Sequence, residues 1–153
     1  MNLRLRSIES HDEALRFAPD LGRGLLESYP AASPELSGEE LASAFLEAHR
    51  GAAAMFFLVA EGEAGTLAVA ATAPWRDPVT LQTSPMLVAL WVDPAIRHRG
   101  VARELVRELR RLVARHGFST LLGRVPTGDD ALLGMAERWG MVREQELVAA
   151  RLR

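Results

Sequence analysis

Leu87-Val88-Ala89-Leu90-Trp91-Val92-Asp93-Pro94-Ala95-Ile96-Arg97-His98-Arg99-Gly100-Val101-Ala102 is the stretch on which the fold turns. Its first six residues read as a strand, Asp93-Pro94 breaks the run, and a basic turn leads through Gly100 into an amphipathic helix. A helix start leaves backbone N–H groups unpaired and carries partial positive charge, so an anion placed there meets both needs. Gly100 has no Cβ to hold a phosphate off the backbone, and positive φ at that residue turns successive N–H groups toward one centre. Arg97 and Arg99 add permanent charge. Such a loop suits a diphosphate, but it is also what an ordinary basic turn before a helix looks like, and the flanks have to decide.

Downstream, Val101, Leu105, Leu109 and Leu112 form one helical stripe, with Arg103, Arg107, Arg110 and Arg111 largely off it and Gly117 as the stop. Thr120 to Val125 then reads as a strand. Reached through a helix, it must lie parallel to the Met86–Val92 strand in a right-handed crossover, and ligands in such sheets sit at the carboxyl ends of the strands. Thr127-x-x-Asp130 opens a last helix, Asp129 to Trp139, closed by Gly140. Met141 to Arg153 is enough for one strand plus a fragment.

Upstream, Met55 to Glu61 and Thr66 to Ala73 are apolar runs around a Gly-rich turn, which predicts a hairpin. Met86 to Val92 continues it, with Ser84-Pro85 expected to interrupt pairing. Leu3 to Glu9 alternates as a first strand. Ser10-x-x-Glu13 predicts a helix kinked or broken near Pro19, Pro30 and Pro34 mark a loop, and Ser37-x-x-Glu40 opens a second helix ending at Arg50-Gly51.

Composition excludes several functions. The 153 residues, 48% hydrophobic, read as a single domain over 1–153. A formal charge of −2 argues against nonspecific nucleic-acid binding. With no Cys, disulfides and thiolate chemistry are ruled out, and with no Lys a Walker-type nucleotide site is too. Gly22-Arg23-Gly24 lacks the third glycine and the preceding strand of a dinucleotide fingerprint. The longest apolar run, Ala52 to Ala60, falls short of the roughly 20 residues that cross a bilayer, and no secretory signal opens the chain, so no membrane partner and a cytoplasmic location are expected. His49 and His116 fall in last helical turns, where a donor complements unpaired carbonyls, and His11 is expected exposed; nothing suggests a metal.

Arg97-x-x-Gly100-x-Ala102, after a strand and the Val-x-Pro turn, resembles the acyl-CoA loop of the GNAT superfamily of N-acyltransferases, whose pattern is Arg/Gln-x-x-Gly-x-Gly/Ala. The order of elements over nearly the whole chain fits as well. The resemblance implies an α/β fold with a mixed, mostly antiparallel central sheet, helices on both faces, and a splayed parallel strand pair that admits acyl-CoA. Acetyl-CoA is then the co-substrate. Its pantetheine arm would bond to free backbone groups near Leu90, Trp91 and Val92, and its diphosphate would sit on Arg97, His98, Arg99, Gly100, Val101 and Ala102. His98 fits cofactor contact and plain solvent exposure equally. The first two helices would wall the pocket of an amine acceptor, a small molecule or a peptide, which brings in Glu27 and Tyr29; a solvated glutamate and a tyrosine covering the loop are the alternative. A homodimer is left open.

The resemblance also shows departures. Family members often protonate the leaving thiolate with a tyrosine at the position of Ala136, and relay the amine proton through a carboxylate on the central strand. Gln82 to Val92 has no ionisable side chain, and Tyr29 is the only tyrosine. Waters or Glu27 would have to serve. A noncatalytic acyl-CoA-binding module, or another anion-binding α/β domain, stands as the rival to an acetyltransferase.

Overall fold

A computed structural model describes residues 2–29 and 35–152; the loop expected at Pro30 and Pro34 lies outside them. Of the alternating residues at the start, only Arg4–Ser7 forms strand β1, because Ser10 turns the chain into a helix by accepting from the Glu13 N–H at 3.1 Å. Helices α1 (His11–Leu15) and α2 (Ala18–Ser28) are separated at Arg16-Phe17. The break precedes Pro19 rather than following it, since a missing N–H is harmless in the first turn. Ser37 and Glu40 form a complete reciprocal cap on α3 (Gly38–Ala48).

Strands β2 (Phe57–Gly62) and β3 (Gly65–Arg76) are joined through Glu63-Ala64. β4 runs Thr83–Val92, followed by a short 3₁₀ turn, Pro94–Ile96, and α4 (Val101–Arg115). β5 is only Leu122–Gly123, shorter than the Thr120–Val125 strand expected, and α5 spans Asp130–Arg138. Asp129 caps α5 by accepting from the Leu132 N–H at 3.0 Å. Residues 142–152 are exposed and form no strand, so the terminal strand expected there is not seen. The sheet order is β1-β2-β3-β4-β5, antiparallel up to β4 and parallel between β4 and β5.

The sheet has helices on both faces. On one, Leu21 and Leu25 of α2 and Leu46 of α3 pack on Phe57, Val59, Val69 and Trp91; on the other, Leu105 and Leu109 of α4 pack on Leu58, Ala68, Ala70 and Val92. Gly22 and Gly24, which fit no dinucleotide loop, bring α2 close to its neighbours. A Cβ on Gly22 would lie 2.2 Å from the Gly38 carbonyl oxygen, and one on Gly24 would lie 3.2 Å from Trp91 Cβ and 3.3 Å from Ala89 Cβ. Thus α2 crosses directly over the second half of β4.

Pro85 does not interrupt β4 as expected. It faces Pro74, and two residues without N–H groups suit a pair that exchanges no hydrogen bonds. The irregularity lies further on, where Ala71 faces Ala89 but Thr72 faces Leu87, leaving Val88 as an extra residue. Both Val88 and Ala89 consequently face the α2 side. Beside the bulge, Thr72 is the one buried polar residue among those described. Its hydroxyl donates to the Ala54 carbonyl at 2.9 Å and accepts from the Phe56 N–H at 2.8 Å. Thr72→Val keeps the shape and orphans both groups, so a loss of about 2–4 kcal/mol in urea unfolding is expected; a loss under about 0.5 kcal/mol would mean that water reaches them.

The histidines act as local fixtures. His49 and His116 are the C-caps of α3 and α4, and His116 Nδ1 lies 2.9 Å from the Leu112 carbonyl. His11 is half-buried rather than exposed, with Nε2 at 3.2 Å from Glu47 on α3, a partner too distant in sequence to foresee.

Candidate active site

The cleft begins where β4 and β5 part. Their pairing covers only Met86 with Leu122 and Leu87 with Gly123. Beyond the bulge, β4 continues to Val92 with β3 on one side and an open edge on the other. The Asp93 N–H donates to Leu67 on β3 at 2.8 Å, so the preceding carbonyl, on Val92, points the opposite way. By the two-residue alternation of a strand, the backbone groups of Leu90 and Val92 face the open edge, and those of Trp91 face β3. The Trp91 side chain is buried on the α2 face, whereas Leu90 and Val92 pack toward α4.

The open edge leads into the loop. Asp93 caps the 3₁₀ turn by accepting from the Ala95 N–H at 2.9 Å, His98 takes φ 65°, and Gly100 takes φ 83° as the N-cap of α4. An exposed histidine tolerates that conformation at modest cost; Gly100 does so freely. No side chain caps α4, and nothing lies within 4 Å of where a Cβ on Gly100 would be. The first N–H groups of a 15-residue helix therefore have no side-chain cap, a setting that suits an anion. Arg99 is exposed beside it, buried Val101 anchors the helix to the core, and Ala102 is half-buried.

Arg97 points elsewhere. Its Nε donates to the Val92 carbonyl at 2.9 Å and its Nη2 to Glu27 Oε1 at 2.7 Å. Glu27 thus stands beside the loop that leads into α4. It also lines a cleft of about 510 Å³ with Arg23, Leu26, Trp91, Asp93 and Pro94. The Arg23 guanidinium lies 5.4 Å above the Trp91 ring and 2.9 Å from Asp20, whose carboxyl is pushed up by burial, held down by Arg23 and raised again by nearby Asp93. Tyr29 lies apart from Glu27, under Arg124 at 5.0 Å, so the ends of α2 and β5 meet there. Ala136 is half-buried on α5.

Arg23 and Arg124 escape sequence reasoning because each is defined by an aromatic partner far along the chain. A second groove, of about 310 Å³, runs between Arg103, Val106, Arg107, Arg110 and Arg111 on α4 and Arg138 and Trp139 at the end of α5. Among the described residues, no cluster of His, Cys, Asp or Glu is placed to hold a metal ion, and no helix is long and apolar enough to cross a membrane.

A family model described as the acetyltransferase (GNAT) family matches residues 19–141. No curated protein matches the chain. Solved structures of similar fold include a ribosomal-protein-alanine N-acetyltransferase from Brucella melitensis biovar Abortus 2308, at 16% identity and a TM-score of 0.71 over 99% of this chain and 100% of that one. The aminoglycoside N-acetyltransferase AAC(6')-Iy in complex with CoA superposes with a TM-score of 0.74 at 17% identity, over 99% and 95% of the two chains. The 6'-N-acetyltransferase AAC(6')-Ih from Acinetobacter baumannii gives 0.71 at 15% identity, over 99% of each chain.

Proposed function

Because this chain belongs to the acetyltransferase (GNAT) family, and is thereby an acetyl-CoA-dependent N-acyltransferase, we propose that it seats acetyl-CoA along the open edge of β4 and acetylates a primary amine of a small molecule or peptide arriving over the end of α2. The observation that carries this reading is the continuity of the edge at Leu90 and Val92 with the uncapped start of α4 behind Gly100. Leu90, Val92 and the loop from Arg97 to Ala102 form the cofactor side, and the cleft lined by Leu26, Trp91 and Asp93 forms the acceptor side. Similar folds named for aminoglycosides and for ribosomal-protein alanine agree with an amine acceptor.

Bound acetyl-CoA supplies a thioester whose carbonyl the amine attacks. The chain contributes alignment, and a backbone N–H on the open edge can polarise that carbonyl. Ala136 offers no proton to the departing thiolate. Thiols have a pKa of about 8.5, so departure without a positioned acid is slow but feasible near neutral pH. General acids contribute about 10²–10⁴-fold, and Ala136→Tyr is expected to recover part of that factor in kcat. The measurement is thiol release from acetyl-CoA over a panel of small amines and peptides. A large kcat loss in folded Tyr29→Phe would give the acid role to Tyr29 instead, and CoA binding without thiol release for any amine would leave a binding module.

A further inference from the structure

We propose that Glu27 is a positioning residue for the cofactor cleft, acting through Arg97 to tie the end of β4 and the loop after it to α2, and is not a group that handles the amine. The proposal rests on the cofactor reading above. One guanidinium joins three parts of the fold, with Nε on the Val92 carbonyl at 2.9 Å and Nη2 on Glu27 of α2 at 2.7 Å. Arg97 itself belongs to the cofactor loop. Nε and Nη2 form the side edge of the planar fork, the edge that would otherwise grip a phosphate with two parallel bonds. Here that edge faces strand and helix.

Two consequences follow for the open edge. Val92 O already accepts from Arg97, so Leu90 O is the edge acceptor with no competing side chain for an amide N–H of the pantetheine arm, while the Leu90 and Val92 N–H groups face the edge as donors. Without Arg97, the turn after β4 would lose its side-chain tie to Val92 and to α2, and the edge donors with the loop behind them would be less firmly placed for the ligand. Glu27 fixes the guanidinium in the orientation that makes this tie. A carboxylate so engaged is a poor relay for the proton of an incoming amine, because its Oε1 accepts from a permanent cation.

The pair is partly exposed, at 38% for Arg97 and 49% for Glu27, so removing it should leave the stability of the fold close to that of the wild type. A loss of binding is then not a loss of fold. The experiment is calorimetric titration of wild type, Glu27→Ala, Glu27→Gln, Arg97→Ala and the double alanine variant with CoA and with pantetheine, which has the arm but no diphosphate. Acceptor kinetics and kcat against pH are measured in parallel. We expect Glu27→Ala to weaken CoA about three- to fivefold, Glu27→Gln to weaken it less by keeping a hydrogen bond, and the double variant to be no worse than Arg97→Ala. Pantetheine should weaken in the same order, and the acceptor KM and the shape of the pH profile should not change.

Unchanged CoA affinity in Glu27→Ala, or additive losses in the double variant, would overturn the proposal. So would a missing limb in the pH profile, which would make Glu27 a proton-handling group. An Arg97→Ala effect confined to CoA would show that Arg97 grips the diphosphate itself. A wild type that binds neither ligand would overturn the cofactor site, and this proposal with it.

Discussion

Gly100→Glu is expected to abolish CoA binding in a protein that still folds. The new side chain would enter the empty space ahead of α4, where nothing lies within 4 Å of its Cβ. Its carboxylate could then satisfy the same N–H groups that the diphosphate needs, and its charge would repel the ligand. The backbone contributes a smaller cost. At φ 83° a residue with a Cβ is strained by roughly 1–2 kcal/mol, which Gly100→Ala carries as well. Comparing the two separates strain from occupation: alanine should lower thermal stability and bind CoA more weakly, whereas glutamate should match its stability and bind none. Calorimetry on the folded variants decides it. Retained affinity in Gly100→Glu would move the cofactor away from this helix start.

The second large effect is expected at Gly22, far from the ligand. At the α2–α3 crossing a Cβ would meet Gly38 O at 2.2 Å and Gly38 C at 2.3 Å, and these are backbone atoms that no rotamer change can move. Gly22→Val must push the helices apart. Overpacking of a core costs about 1–3 kcal/mol where side chains can adjust, and here they cannot, so a loss at or above about 3 kcal/mol is expected. Because α2 also rests on β4 through Gly24, the shift should reach Ala89 and Trp91 and lower activity in whatever fraction remains folded. Urea unfolding and thiol release measure the two effects. A Gly22→Val protein within about 1 kcal/mol of wild type would show that the crossing is looser than drawn.

Local chemistry was legible in the sequence. The Ser37–Glu40 cap, the apolar stripe of α4, the hairpin from β2 to β3 and the helix-ending Gly117 and Gly140 each depend on residues within one or two turns of each other, where propensity and hydrogen-bonding capacity act directly. The turn into α4, with Gly100 at positive φ as its N-cap, belongs to this class, as it lies within a few consecutive residues. What escaped depends on partners far along the chain. The bulge at Val88 reconciles the pairing of β4 with two helical layers, and nothing in Leu87-Val88-Ala89 marks it. Nothing near Arg97 in sequence marks its partner Glu27, 70 positions away, which accepts from it. His11 reads as exposed until Glu47 faces it. Gly22 and Gly24 read as a failed nucleotide motif because the sequence shows their spacing but not the backbones they approach.

The two walls of the cleft are unequal in one further respect. β4 is held by β3, α2 and α4, whereas β5 pairs through two residues and no side chain of α5 is more than half-buried. Local opening of a segment costs only the burial and hydrogen bonds it gives up, so the β5–α5 side should detach and re-form many times for each global unfolding event. A ligand that bridges both walls opposes this detachment by mass action, by about 2.7 kcal/mol at a hundredfold excess over its Kd. Protease susceptibility of the chain from β5 onward would then follow the acetyl-CoA level around it, and the protein's lifetime would be set in part by its own co-substrate.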